Sequence, residues 1–227
     1  MPVFERHQTL GDVSPYFNFL ILPDAEQKDA IEHMTYLAEL WSAVLQFNHA
    51  LNLFDFCERK RPDEYGWKLI AARDGAWSIY NFGSIMQYFR AGFGTIPTLS
   101  RMIEHDSLRT AQKLFDSSFP DFPLIRHALA HVPESTMNQE KRDKNYYKGS
   151  FTSDGMIVEG DQTLIMIKNS LKGRKYQTTF NGRLLSYELS EETLKKLIQA
   201  KDIFFSGFKQ VEKISVKTPN WKPGAQS

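Results

Sequence analysis

The chain has 227 residues, of which 41% are hydrophobic and 24% are charged, and its formal net charge is +1. This balance is typical of a globular protein and excludes a basic field spread over the whole surface. The lone Cys57 excludes an internal disulfide and a cysteine metal cluster. The first residues lack the apolar run of a secretory signal, and Phe17 to Leu22 is too short to span a bilayer. We therefore expect a soluble, cytoplasmic protein.

The first part of the chain is predicted to be helical. Residues 1–23 contain glycine and proline breakers and are expected to be irregular. Beyond them, apolar residues recur at three- and four-residue steps, as on the buried face of a helix. This spacing predicts helices over residues 24–57, with Asp24 as N-cap, and over 65–93, 97–105, 107–117 and 121–132. Four aromatic residues at helical spacing are predicted to lie in the core: Trp41, Trp77, Tyr80 and Phe89.

After Pro133 the pattern changes. Residues 134–145 are polar and predict a linker or loop, and beyond them the apolar period shortens toward two, as in strands. Strands are predicted at 151–152, 156–158, 163–167, 176–180 and 184–189, with a hairpin turn at Asn181-Gly182. Ser190 is predicted to cap a helix over residues 191–208.

This order of elements predicts an α+β fold that is mainly α, rather than a parallel alternating one. We expect an irregular segment over residues 1–23 and an antiparallel helical bundle over 24–133. A small antiparallel β-meander and a C-terminal helix, packed on the bundle, are expected over 146–214. Residues 215–227 are expected to form a tail.

The predicted helix before Pro133 carries the candidate site. On a helical wheel, its apolar residues fall on one face about 140° wide, which must be buried; they are Leu124, Ile125, Ala128, Leu129 and Val132. Arg126, His127 and Ala130 lie on the opposite side, and His131 lies at the edge. The small Ala130 therefore separates one guanidinium from two imidazoles that are four residues apart.

These side chains suit metal-free cleavage of RNA. A base must take the proton from the 2′-oxygen, and an acid must protonate the leaving oxygen; histidine serves in either form near neutral pH. The planar guanidinium of Arg126 fits phosphate oxygens and stays charged in the transition state. One helix does not aim Arg126 and His131 at the same point, so a symmetric dimer with this helix packed antiparallel across Ala130 would complete the site.

The segment Arg126-His127-Ala128-Leu129-Ala130-His131 resembles the Rx4–6H motif of the HEPN superfamily (higher eukaryotes and prokaryotes nucleotide-binding). Arg126 and His131 match the ends of the motif, and His127 matches the polar residue that commonly follows the arginine. The resemblance covers roughly residues 24–132 and implies an antiparallel helical bundle, often dimeric, with the motif at the dimer cleft. Many members are metal-independent ribonucleases that act as toxins, in defence or in RNA processing, whereas others only bind. The predicted C-terminal sheet lies outside the superfamily pattern.

Other interpretations of the three residues stay open. Arg126 could pair with a carboxylate such as Asp121 or Glu134, with both histidines at the surface or at an interface. His127 and His131 could chelate a metal, but Ala128 stands where an H-E-x-x-H site has its glutamate. We therefore predict neither a metal nor a cofactor.

Three functions follow as hypotheses. The first is a metal-independent endoribonuclease with Arg126, His127 and His131 as catalytic residues. The second is an inactive HEPN-like module that binds RNA, a nucleotide or a protein. The third is a structural or regulatory dimer whose C-terminal sheet is the working surface. The expected partners are RNA, a second copy through the helix that carries Arg126 and His131, and an antitoxin protein; no membrane is expected.

Overall fold

The computed structural model describes residues 10–61, 63–130 and 137–216, without the side chains of residues 126, 130 and 214–216. The described chain is mainly helical, with small antiparallel sheets and helices after them, which confirms the predicted α+β class. Before the sheets it forms α1 (Asp24–Lys60), α2 (Tyr65–Ala91), α3 (Pro97–Met102), α4 (His105–Ser118) and α5 (Phe122–Ala130). Within the described residues, no helix combines the length and apolarity needed to cross a membrane.

The later part of the chain contains short strands between helices. In chain order these elements are α6 (Gln139–Asn145), β1 (Tyr147–Lys148), β2 (Phe151–Thr152), β3 (Ile157–Val158), β4 (Leu164–Ile165), β5 (Ser170–Lys172), β6 (Lys175–Phe180), β7 (Arg183–Glu188), α7 (Glu191–Ser206) and α8 (Lys209–Val216). Strands β5, β6 and β7 form the predicted antiparallel meander. The β2–β3 hairpin instead lies inside a longer pairing of β1 with β4.

Helices α1 and α2 form the framework of the molecule. Helix α1 has 37 residues, which makes it about 55 Å long. The connection to α2 spans only residues 61–64, so the two helices run antiparallel. Asp24 is the first residue of α1 rather than its N-cap, which is Pro23 and makes no side-chain cap bond. The carboxylates of Asp24 and Glu26 still lie in the first turn, where the helix dipole favours negative charge.

One continuous core joins the helices to the meander. Its side chains come from α1, α2, α4, α5 and α7 and from one face of the β5–β7 sheet, to which Leu171, Tyr176 and Leu185 contribute. Because successive residues of a strand point to opposite faces, the other face can pack elsewhere. Leu184 on β7 packs there against a smaller cluster of Phe151, Ile165 and Ile167. The sheet therefore lies between the helical body and the β1–β4 region.

Two local signals in the sequence are confirmed. Asn181 and Gly182 have φ angles of 49° and 71°, as a type I′ turn requires, and they set Phe180 opposite Arg183. Ser190 is the N-cap of α7, and its side chain accepts a hydrogen bond from the backbone N–H of Thr193. That helix ends at Ser206 rather than at residue 208, and α8 follows it.

The prediction of a linker over residues 134–145 is wrong for its second half, because residues 139–145 form α6. Asn138 caps this helix by accepting a 2.9 Å hydrogen bond from the N–H of Lys141. Asn145 is buried, and its side-chain oxygen accepts a 3.0 Å hydrogen bond from the N–H of Asn181. This contact with a distant turn stabilises a segment whose polar composition alone predicted no regular structure.

The prediction that four aromatic residues lie in the core holds only in part. Phe89 is fully buried, and Trp41 and Tyr80 are half-buried. The prediction is wrong for Trp77, because 37% of its surface is exposed. Helical spacing identifies residues on a common face, but it does not show which faces of a long helix receive a partner.

Gly83 provides a test of the close packing between α2 and α5. A Cβ added there would lie 2.5 Å from Cε1 of Phe115 and closer still to Cε2 of Phe122. We expect Gly83→Ala to lower the free energy of unfolding by about 1–3 kcal/mol, despite the better helix propensity of alanine. Urea denaturation would measure this. The matched control is Gly66→Ala on the same helix, where a Cβ meets no atom of the described residues within 4 Å; it should be neutral or slightly stabilising. Equal effects at the two positions would contradict the packing.

Candidate functional site

Helix α5 buries one face, as the helical wheel predicted, and exposes His127 on the opposite side. The side chains of Phe122, Ile125 and Ala128 are buried, with exposed fractions of 4%, 1% and 6%. Leu124 and Leu129 are half-buried and pack against the same core. Val132, the last residue of the predicted apolar face, lies outside the described residues. The burial of this face turns the opposite side of α5 away from the core.

The structure describes only one of the three predicted site side chains. His127 lies on the second turn of α5 and is exposed. Arg126 belongs to the same helix, but its side chain is not among those described, and His131 falls in the undescribed range 131–136. The predicted proximity of Arg126, His127 and His131 therefore stays a prediction.

The imidazole of His127 stacks on the ring of Phe180. The two ring centroids are 5.7 Å apart and the planes differ by 10°, which is an offset stacked arrangement. Phe180 is the last residue of β6 and directly precedes the Asn181-Gly182 turn. Phe180 covers one face of the imidazole and limits the rotation of its plane. Sequence reasoning missed Phe180, because its place beside α5 depends on how the hairpin docks.

A salt bridge attaches the start of α5 to the same hairpin. Nη2 of Arg183 lies 2.7 Å from Oδ1 of Asp121, the residue before α5, and the arginine side chain is 58% exposed. Asp121 is one of the carboxylates with which Arg126 could pair, and in the structure it forms a salt bridge with Arg183. The stack at His127 lies six residues after Asp121, which corresponds to roughly 9 Å along the axis of an α-helix. The hairpin tip thus holds α5 at two points.

Tyr187 adds a buried phenol close to this salt bridge. Its hydroxyl has no hydrogen-bond partner in the described part of the chain. Burial raises the pKa of Tyr187 well above its usual value, the negative charge of Asp121 raises it further, and Arg183 opposes this. The group is therefore un-ionised at neutral pH and can donate a hydrogen bond, but it does not serve as a base.

The sequence leaves open a metal site at His127 and His131. Over residues 10–61, 63–130 and 137–216, no group of three or more histidine, cysteine or acidic residues is placed to hold a metal ion. That search does not cover His131. Among the described residues, the groups beside α5 include the imidazole of His127, the ring of Phe180 and the Asp121–Arg183 pair.

The stack between His127 and Phe180 can be tested by NMR. A proton held over the face of an aromatic ring is shielded, so replacing that ring by an aliphatic side chain removes the shielding. We expect Phe180→Leu to move the ring-proton resonances of His127 downfield in a ¹H–¹³C correlation spectrum. Tyr88→Leu, at an exposed position of α2, is the control and should leave them in place. A His127 spectrum that does not respond to Phe180→Leu would rule out the stack in solution.

Comparison with models of protein families, with curated protein sequences and with solved structures finds no match to this chain. The resemblance to the HEPN superfamily therefore depends on the spacing of Arg126, His127 and His131 and on the order of the helices. Membership of that superfamily stays a prediction.

Proposed function

We propose that this chain is a HEPN-like, metal-independent endoribonuclease whose site is the outward side of α5. The observation that carries the proposal is the exposed His127 on a helix whose other face is buried at Ile125 and Ala128. The helical wheel puts Arg126 and Ala130 on the same side as His127. We expect this strip, with a cation, an imidazole and little bulk, to accept a phosphate group.

The proposed reaction is an intramolecular transfer of the phosphodiester. A base takes the proton of the 2′-hydroxyl, the 2′-oxygen attacks phosphorus, and the bond to the 5′-oxygen breaks. An acid gives a proton to that 5′-oxygen, which leaves a 2′,3′-cyclic phosphate and a 5′-hydroxyl. His131 is assigned the principal acid–base role, and the guanidinium of Arg126 stabilises the charge on the pentacoordinate phosphorus. His127, oriented by Phe180, assists the proton transfers or orients the phosphate.

The biological setting that fits this activity is a toxin, a defence factor or an RNA-processing enzyme. In the first case an antitoxin protein would restrain the nuclease. The catalytic arrangement requires a dimer, since one helix does not direct Arg126 and His131 toward one phosphate. RNA and a second copy of this chain are therefore the proposed partners.

Cleavage of RNA in the presence of EDTA tests the activity and the site together. We expect the purified protein to cut single-stranded or structured RNA and to leave cyclic phosphate ends. Arg126→Ala and His131→Ala should each lower the rate by about 10²-fold or more, because each removes a group that acts in the transition state. His49→Ala, at an exposed histidine of α1, is the control and should cut at the parent rate. Circular dichroism would check that each variant is folded.

Two results would contradict the proposal. If both variants cut as fast as the parent, the site assignment is wrong. If the parent binds RNA in a saturable, salt-sensitive way without any cleavage, the inactive HEPN-like binding module is the better description.

The role of α5 in dimer formation can be tested separately. If two copies of α5 cross at Ala130, a large side chain there prevents their close approach. We expect Ala130→Trp to convert a dimeric parent into monomers in sedimentation velocity, with α-helix content unchanged. A dimer that survives this substitution would place the interface elsewhere.

A second candidate function has its own observation. Large apolar side chains are exposed in the β1–β4 region, where Ile157 and Leu164 have exposed fractions of 70% and 59%. Apolar surface of this kind is common at sites of protein contact. It favours the structural or regulatory dimer whose C-terminal sheet is the working surface, and a dimer that resists Ala130→Trp would support it.

A further inference from the structure

A long groove runs between α1 and α2 on the outside of the molecule. One section has a volume of about 520 Å³, and a second section of about 380 Å³ adjoins it at Gln46. On α1 the groove extends from Tyr36 to Leu53, which corresponds to roughly 26 Å of helix. On α2 it extends from Tyr88 back to Asp74.

This groove and the α5 site lie on different sides of α2. Gly83 faces the rings of Phe115 and Phe122, next to α4 and α5. Asn81 and Ile85 line the groove and lie about 160° around the helix from Gly83. A ligand in the groove would therefore not occupy the surface assigned to RNA.

The shape of the groove suits a third helix. Its floor contains the buried small residues Ala43, Ala50 and Ser78, which allow another backbone to approach closely. Large aromatic side chains stand at its edge: Trp77 is 37% exposed and Tyr88 is 57% exposed. Two antiparallel helices with a small-residue floor and raised edges form the kind of channel into which an amphipathic helix packs.

The charge of the groove indicates the sign of the charge that its ligand carries. Among the described residues, its lining includes the carboxylates of Glu39 and Asp74 and the imidazole of His49, but no lysine or arginine. A further carboxylate, Glu32, accepts a 2.5 Å hydrogen bond from the hydroxyl of Tyr36. That bond raises the pKa of Tyr36 to about 12, so its phenol stays neutral at physiological pH. Phosphates would be repelled, and a second copy docked through the same face would bring like charges together.

We propose that the α1–α2 groove binds a basic amphipathic helix of a partner protein. Aliphatic side chains of that helix occupy the floor over Ala43 and Ala50. Its lysines and arginines flank this apolar strip, pair with Glu39 and Asp74, and lie over the faces of Trp77 and Tyr88, as cations do on aromatic rings. Such a partner binds independently of any reaction at α5.

Binding of a synthetic peptide to the whole chain tests the proposal. The probe is a fluorescently labelled peptide of about 18 residues, with leucines at three- and four-residue steps and lysines and arginines on both flanks. Its comparison peptide has the same composition in scrambled order. We expect saturable binding of the amphipathic peptide by anisotropy, weakened by added salt, and at least tenfold weaker binding of the scrambled one.

Matched variants locate the site. Glu39→Gln with Asp74→Asn should weaken binding by about threefold to thirtyfold, the range expected for two exposed ion pairs. Glu159→Gln with Asp161→Asn makes the same change of charge at exposed positions between β3 and β4 and should have no effect. Trp77→Ala should weaken binding about tenfold, as loss of an aromatic contact to an apolar and cationic ligand predicts.

Four results would overturn the proposal. The peptide could fail to bind, or the scrambled peptide could bind equally well. The groove variants could bind the peptide with the same affinity as the control variant Glu159→Gln with Asp161→Asn. Sedimentation could show a dimeric parent that Tyr88→Ala and Trp77→Ala both dissociate, in which case the occupant of the groove is a second copy.

Discussion

The close contact between α2 and α5 at Gly83 determines which side of α5 faces outward. The absence of a side chain at Gly83 lets the rings of Phe115 and Phe122 lie directly against α2. Ile125 and Ala128 then continue the same buried face one and two turns later. Because the position of one face of a helix determines the position of the other, His127 must face away from the core. The candidate site is thus a consequence of core packing.

The sheet is anchored to the helices at a second set of contacts. The guanidinium of Arg174 pairs with the carboxylates of Asp55 and Glu58 on α1 and lies 5.0 Å from the ring centre of Phe54. The hydroxyl of Tyr65, at the start of α2, accepts a hydrogen bond from the N–H of Leu171. These bonds hold the base of the meander at the junction of α1 and α2. With the base held, the hairpin tip reaches α5, where Phe180 stacks on His127.

The two faces of the α1–α2 pair differ in burial. Leu37, Val44 and Phe82 lie in the core, whereas Glu39, Gln46 and Tyr88, which line the groove, are exposed. Both faces have apolar or aromatic residues at helical spacing, so hydrophobic periodicity alone does not distinguish them. The difference arises because, within the described residues, α4, α5, α7 and the sheet pack against one side of the pair. Trp77, predicted as a core residue, lines the groove on the other side.

The sequence by itself determined the features that depend on neighbouring residues. The buried face of α5, the Asn181-Gly182 turn and the Ser190 cap each follow from a few consecutive side chains and were predicted correctly. The chemical character of the site, with Arg126, His127 and His131 on one short segment, is also a property of the sequence. Those features need no information about distant parts of the chain.

Only the tertiary structure decided the contacts between distant segments. Helix α6 forms where Asn145 meets Asn181, and His127 has an aromatic neighbour because the β6–β7 hairpin docks beside α5. The exposure of Trp77 and the groove around Gln46 likewise depend on which helix faces remain uncovered. The physical reason is the same in each case: the partners are far apart in sequence, and their contact depends on the packing of the whole core rather than on local propensity.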